Sequence, residues 1–490
     1  MLAKNLADKD TATLDTRTVK IIQLKNDNCA SSTVECHDIV REIPSKRIVY
    51  RGRFLNQNIY VKLFIDAKSK KRHKDLELKG LQNLALNNIA APKVLFSGLT
   101  DQDDPIIITL AISNGVSLNE IWKAQTKEEE RLALMSKLVA LVATQHNAGL
   151  QHNDPHPNNF FVTTDTIYTL DGADVVANET PLPRTSSLDN LGLILAQFLP
   201  DNDQRALGLL PLYCKSRNWL FDSELQQQIV QTIDKKREYR KKKYLKKMYR
   251  ACTQIASIRT TGSLQLVERE FNTNGMRSLL QQPDIYIDKI VADNAALKKG
   301  NSSTVVQLKI DDSSFVVKRY NIKNPIHRLK RTFSRTRAER SWENAHLLRF
   351  YGIPTARPIA IRINKRGVFR GRSWYVAENL PGQTLTQFMT NNKDNTTELK
   401  NIAEQVAKII VGIEKQLIAH GDFKASNFQV CQGKVYLIDL DSMKQYQTSQ
   451  SFKDPRKKDL TRFQKNWKKM PQIEKLFIDA INHQHNQAQA

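Results

Sequence analysis

Two stretches of this sequence set the same polar residues at the same spacing. In HNDPHPNNFF, Asn159 follows Asp154 by five residues, and a short apolar run, IYTL, leads on to Asp171. In HGDFKASNF, Asn427 follows Asp422 by five residues, and VYLI leads on to Asp439. All three positions recur with one constant offset of 268 residues, and a histidine (His152, His420) stands two residues before each first Asp. An Asp beside an attacking hydroxyl can accept its proton. An Asn and a second Asp at a strand end offer the oxygen donors that a hard cation such as Mg²⁺ chooses. Phosphoryl transfer asks for this positioning and charge neutralisation more than for covalent chemistry. The pattern therefore marks Asp154 and Asp422 as bases, Asn159 and Asn427 as metal-holding amides, and Asp171 and Asp439 as the main metal ligands.

Such groups work only if strands and a helix bring phosphate-binding cations to them, and candidates stand upstream in the same order twice. RIVYRGRF and IYVKLF alternate apolar and polar residues as a hairpin and carry Lys62; LKKGNSSTVVQLKI and FVVKRYN do the same and carry Lys318. A helical stretch follows each hairpin. In the first, Glu77 lies 12 residues before Ile89, suited to hold Lys62; the position 12 before Ile353 is Ser341, so Glu339 or Glu343 is the candidate there. A loop covering phosphates needs glycine for close backbone approach. The second half offers Gly300 with Ser302 and Ser303, the first only Gly52. Two residues past the base stand His156 in one half and Lys424 in the other. Lys424 is suited to steady a transferring phosphate; His156 serves there only if protonated, and otherwise as a loop hydrogen-bonding residue.

HGDFKASNF with LIDLDSM, and YRGRF, YVKLF, LELKGL and HNDPHPNN, resemble the protein-kinase-like superfamily, most closely its bacterial lipopolysaccharide core kinases, the heptose and Kdo kinases. The resemblance covers roughly residues 45 to 200 and 290 to 470. It implies ATP and Mg²⁺ as cofactors and a sugar hydroxyl of the inner core as acceptor. The fold class expected is α+β: two tandem protein-kinase-like modules, each with a small β-rich N-lobe and a larger helical C-lobe. The Arg that precedes the catalytic Asp in regulated protein kinases is Asn153 or Gly421 here, which argues against control by loop phosphorylation and against a protein kinase. Both modules are expected to bind ATP, the second favoured as active; an active second module beside a pseudokinase first module is the other alternative. Asp189 and Asp459 follow the metal Asp by 18 and 20 residues, each near a helix start. In related kinases an Asp there braces the catalytic loop; helix capping is the plainer role.

The expected limits are an extension over 1–44, a first module over 45–255, a linker over 256–289, a second module over 290–482 and a polar tail over 483–490. A chain of 490 residues exceeds what one core usually holds. Its 40% hydrophobic and 26% charged residues describe a soluble protein. No signal peptide or membrane-spanning run is visible, and five scattered cysteines read as reduced thiols, so a cytoplasmic location is expected. Seventy-five Lys and Arg against fifty Asp and Glu leave a charge of +25, which favours an anionic partner. Nucleic acid is not expected, since no zinc-finger spacing or RNP-like motif appears. An anionic inner-membrane surface is the alternative partner, with three basic segments to meet it: Lys235–Arg250, His327–Arg337 and the residues around Asp459. In the first, Leu245, Met248, Cys252 and Ile255 form an apolar stripe expected to pack on the first C-lobe, leaving the charges to solvent.

Overall fold

The computed structural model describes residues 19–25, 33–43, 45–300, 302–321, 335–366 and 369–489. The chain divides into two units, Met1–Tyr239 and Arg240–Ala490.

In the first unit, strands β1 (Lys20–Lys25), β2 (Thr33–Ile43), β3 (Arg47–Phe54), β4 (Gln57–Phe64), β5 (Val94–Thr100) and β6 (Pro105–Leu110) close into an antiparallel barrel in the order β1-β2-β3-β4-β6-β5. Helix α1 (Lys70–Leu86) follows β4. Alternation along β3 and β4 turns Tyr50, Phe54, Ile59, Val61 and Leu63 inward, where they meet Ile22, Leu24, Val34 and Cys36. The expected extension over 1–44 therefore supplies two barrel strands: their apolar residues bury nowhere else. Gly52 is not in a phosphate loop. A Cβ there would lie 1.8 Å from the Glu35 carbonyl oxygen, so glycine is what lets β3 approach β2.

The larger part of this unit packs helices α2 (Glu128–Asn147) and α3 (Arg184–Leu195) and the start of α4 (Ser223–Lys247) around Leu138, Val142, Leu191, Tyr213, Leu225 and Ile229. Asp154 and Asn159 lie in the loop after strand β7 (Leu150–His152), and Asp171 follows strand β8 (Ile167–Thr169).

The second unit begins before the expected position. Strands β9 (Ile255–Arg259) and β10 (Ser263–Glu268) join a seven-stranded antiparallel sheet with β11 (Lys298–Lys299), β12 (Ser303–Ile310), β13 (Ser313–Tyr320), β14 (Pro358–Arg366) and β15 (Phe369–Glu378). Its order is β9-β10-β14-β15-β13-β12-β11. Helices α5 (Asn274–Gln281) and α6 (Pro283–Ala292) bury Met276, Leu279, Leu280 and Ile287 against that sheet. The span 256–289 is thus part of the unit's core and not a linker. Helix α7 (Arg337–Phe350) packs beside the sheet, and α8 (Thr396–Lys415), α9 (Ser449–Lys465) and α10 (Pro471–Gln489) build the helical part. Helix α10 runs through most of the expected polar tail, and His485 Nε2 meets Glu414 Oε2 at 2.8 Å.

The basic segment also departs from expectation. Leu245 packs on the helical core of the second unit, and Met248, Cys252 and Ile255 on its sheet, so the stripe does not serve the first C-lobe. Several of its cations face protein. Arg237 makes a two-pronged contact with Asp203 at 2.6 and 2.9 Å, Lys236 reaches Asp189 at 2.5 Å, and Lys241 donates to Gln445 at 2.8 Å. Most of the cluster His327–Arg337, like Cys29, lies outside the described residues. Among the described residues no helix is long and apolar enough to cross a membrane.

Candidate active sites

Both metal-binding candidates sit in the same unusual backbone conformation. Asp171 has φ 54° and Asp439 φ 61°, left-handed values that few residues other than glycine adopt. In each case one 3₁₀ turn follows, and the preceding residue's backbone NH bonds to the Asn of the catalytic loop: Leu170 to the Asn159 carbonyl, Ile438 to the Asn427 carbonyl, both at 2.8 Å. That bond fixes Asp and Asn side by side. The amide of Asn159 donates to the Asp154 carbonyl at 2.9 Å, and that of Asn427 to the Asp422 carbonyl at 2.7 Å. Each Asn therefore spends its NH₂ on the loop, which leaves its oxygen, the kind of donor a hard cation chooses, outside that bond. His152 and His420 are buried under these loops, and burial lowers the pKa of each, leaving neutral rings as supports.

The strand lysines are held differently. Lys62 Nζ lies 2.5 Å from Glu77 Oε1 and 3.6 Å from Asp171 Oδ1, as expected for a strand lysine held by a helix Glu. Glu77 is fully buried, and it also accepts from the backbone NH groups of Gly172 (3.2 Å) and Ala173 (3.3 Å). This tie requires close approach: a Cβ on Gly80, one turn along α1, would lie 1.8 Å from the Gly172 oxygen. A second cation, Arg47, stands 3.5 Å from Asp171 Oδ1 and 3.9 Å from Glu77. Burial works against ionising Asp171, but Lys62 and Arg47 together overcome it and hold its pKa at about 2. Asp174 feels the opposite balance: burial, with the charges of Asp171, Asp154 and Glu77, pushes its pKa up to about 6.

In the second unit neither Glu339 nor Glu343 reaches Lys318. Glu339 closes a capping box with Thr336 at the start of α7 and pairs with Arg370 at 3.2 Å; Glu343 is bound by Arg335 and by the Tyr249 hydroxyl. At the position matching Glu77, Ser341 accepts or donates a 2.7 Å hydrogen bond with Tyr320. Lys318 instead pairs with Asp439 and, at 3.1 Å, with Asp441, two residues further on. Asp441 is only 4% exposed and is also held by Arg337 at 2.8 Å. Burial raises its pKa, yet Lys318 and Arg337 more than offset this and keep it low. The partner of the lysine has moved from the helix to the loop. The helix contact is rebuilt as well: where α1 uses Gly80, α7 uses Asn344, whose amide donates to the Leu440 and Met443 carbonyls at 2.8 and 2.9 Å.

The two candidate bases also differ. The Asp154 side chain is exposed and, among the described residues, unpaired. His156, close by, accepts from the Asn158 NH at 3.1 Å, a loop-capping bond. Asp422 instead lies 2.9 Å from Lys424 Nζ and 3.2 Å from Arg462 Nη1, and accepts from the Asn427 amide at 3.2 Å. Burial raises its pKa, but Lys424, Asn427 and Arg462 outweigh that and lower it. Asp459 braces this loop from α9, accepting from the NH groups of His420 (2.6 Å) and Gly421 (3.1 Å). It lies inside the helix, not at its start. Asp189 has no such role; it pairs with Lys236, and its neighbour Asn190 holds the loop by donating to the His152 carbonyl at 2.8 Å.

Beside Asp422 the second unit holds a cleft of about 560 Å³. Val305, Val316, Ala377 and Leu380 line its apolar part; Lys318, Lys424, Asn427 and Asp439 line its polar end. An apolar slot beside two cations and two oxygen donors fits a nucleotide with a divalent cation. Gly300 and Ser302 lie in the turn between β11 and β12, where the Gly300 NH bonds to the Ser303 carbonyl at 3.1 Å. Ser303 is buried at the strand start and offers no side chain to the cleft. In the first unit the oxygen donors are the same, but Arg47 already stands against the carboxylate that a cation would use.

The model of the Lipopolysaccharide kinase (Kdo/WaaP) family matches residues 38–174 and 291–482. The chain belongs to that family. It is accordingly a kinase, a phosphotransferase, built from two kinase-like modules of mixed α and β structure. No curated protein matches it. Two crystal structures of the Mycobacterium tuberculosis PknI kinase domain, one of them a double mutant, are similar to it at 13% and 11% identity. They cover 41% of this chain, and 96% and 95% of theirs, each with a TM-score of 0.28.

Arg47, Asn190, Arg337, Asp441 and Arg462 are absent from the sequence-level site. Only Asp441 left a signal: LIDLDSM carries a second Asp where LDGAD has Ala173.

Proposed function

We propose that this kinase transfers the γ-phosphate of ATP to a sugar hydroxyl, on heptose or Kdo, of the lipopolysaccharide inner core. In this reading the second unit carries the reaction, and the first binds nucleotide weakly or supports the second. What supports it most is the cleft that gathers Lys318, Asn427 and Asp439 beside an Asp422 flanked by Lys424 and Arg462. Mg²⁺-ATP, when bound, supplies the phosphoryl group and neutralises charge between the phosphates. Asp439 and the free oxygen of Asn427 would hold the metal. Asp441 keeps Lys318 in place when Asp439 turns to that task, so Lys318 stays aimed at the phosphates. Asp422 accepts the acceptor's proton; Lys424 offsets charge developing on the transferred group. Gly300 and Ser302 would approach the phosphates through backbone, and the +25 charge suits an acceptor displayed at the anionic inner face of the membrane.

A second reading, with both units active, has its own support in the intact Lys62–Glu77 pair and the open Asp154. The experiment is ATP turnover on purified core oligosaccharide by the wild type, Asp154→Ala, Asp422→Ala and the double variant. Loss with Asp422→Ala alone supports a single working unit. Partial loss with each single variant supports two, and no turnover by the wild type rejects the acceptor.

A further inference from the structure

On the reading that the second unit phosphorylates a core sugar, we propose that one exposed face of α9 is an acceptor subsite for an anionic group, phosphate or carboxylate, already carried by that sugar. Helix α9 has two functional faces. Its inward face buries Phe452, Asp459 and Phe463, and Asp459 holds the catalytic loop through the His420 and Gly421 NH groups. An adjoining face presents Asp454, Lys457, Lys458, Thr461, Arg462 and Lys465, which recur at helical spacing and line a hollow of about 500 Å³. Four of these six residues are cations against one carboxylate. Among the described residues, Lys457, Lys458 and Lys465 pair with no carboxylate, so their charge is available.

Arg462 joins this hollow to the reaction. It donates to the Gly421 carbonyl at 2.7 Å and to Asp422 Oδ1 at 3.2 Å, so the guanidinium that borders the hollow also touches the base. An anion lying along the lysines therefore sits beside the group that takes the hydroxyl proton. Such a hollow selects acceptors by charge. It favours a sugar bearing a negative group near the reacting hydroxyl over a neutral one, because exposed lysines attract a mobile anion without a rigid fit.

The test uses the full chain and purified core oligosaccharide. Lys457→Gln, Lys458→Gln and Lys465→Gln together should raise the acceptor KM about tenfold, given the modest strength of each exposed ionic contact. The KM for ATP should move by less than about twofold, and the same three positions changed to Arg should restore the acceptor KM. Added salt should raise the wild-type acceptor KM more than that of the Gln variant. An unchanged acceptor KM in the Gln variant overturns the proposal. So does a variant that loses only binding to vesicles containing anionic phospholipid, since the face would then meet lipid. Wild-type protein inactive on this oligosaccharide would instead refute the acceptor assignment on which the subsite rests.

Discussion

The two units both fix a strand lysine beside the left-handed Asp that follows the candidate loop, with the partnering negative charge in different places. In the first it comes from α1 as Glu77, and the loop after Asp171 contributes only NH groups. In the second it comes from the loop itself as Asp441, while α7 offers Ser341 and steadies the loop with Asn344. The difference teaches that the helix Glu is one way of supplying a buried carboxylate to a lysine, and not a requirement of the fold. It also separates the two candidate metal sites. Among the described residues Asp171 faces two cations, whereas Asp439 faces one that a neighbouring carboxylate can hold.

The sharpest break in the comparison is at the bases. Asp422→Ala should lower turnover on core oligosaccharide by about a thousandfold, within the usual range for removing a general base, while Asp154→Ala should change it less than about twofold. Single-turnover assays with labelled ATP check both. Equal losses would make the units equivalent.

Next comes the relocated carboxylate. Asp441→Ala leaves Lys318 with Asp439 alone and takes the carboxylate from Arg337, and should cut turnover about a hundredfold, the scale of a lost active-site electrostatic partner. Adding Ser341→Glu to that variant should recover at least about tenfold, because it returns the charge to the helix as in the first unit. No recovery would show that Asp441 does something Glu77 does not.

The braces give a smaller effect, on stability. Asp459→Ala leaves the buried His420 NH and the part-buried Gly421 NH without their acceptor, and should cost about 1–3 kcal/mol in denaturant unfolding of the second unit. Asp189→Ala, removing an exposed pair with Lys236, should cost less than about 0.5 kcal/mol.

A last effect is a pH dependence that Asp174 gives the first unit. The pKa of Asp174 rises from 3.8 to about 6 on folding, so the folded state holds its proton more tightly than the unfolded one. Its contribution therefore makes the unit less stable as pH rises from 3.8 to about 6, and is level above that. Thermal melts should show this fall in the wild type and a weaker one in Asp174→Asn. Superimposable pH profiles would place Asp174 in a more polar setting.

The repeated part of the site was legible because its residues are tied by short chain distances. Asp, Asn and the second Asp fall within about twenty residues, and a hairpin lysine carries its own alternation. Glu77 was legible because one helix and its short exit separate it from Ile89. Arg47 and Arg337 were not, since each reaches an Asp more than a hundred residues away. The linker at 256–289 misled for the same reason: Ser263–Glu268 finds its strand partner across nearly a hundred residues, on Pro358–Arg366. The stripe from Leu245 to Ile255 kept a helical period while the helix itself ended at Lys247 and the chain turned into a strand.

What this sequence determined by itself is the repeated set of candidate groups, because residue type and local spacing mark a candidate proton acceptor, candidate oxygen donors and a strand lysine. What only the tertiary structure decided is which charges meet. Coulomb attraction and desolvation depend on distance in space and on burial, and neither is encoded in spacing along the chain. That is why Glu339 and Glu343, well placed on paper, serve a helix cap and a tyrosine, and why Asp441 holds the lysine.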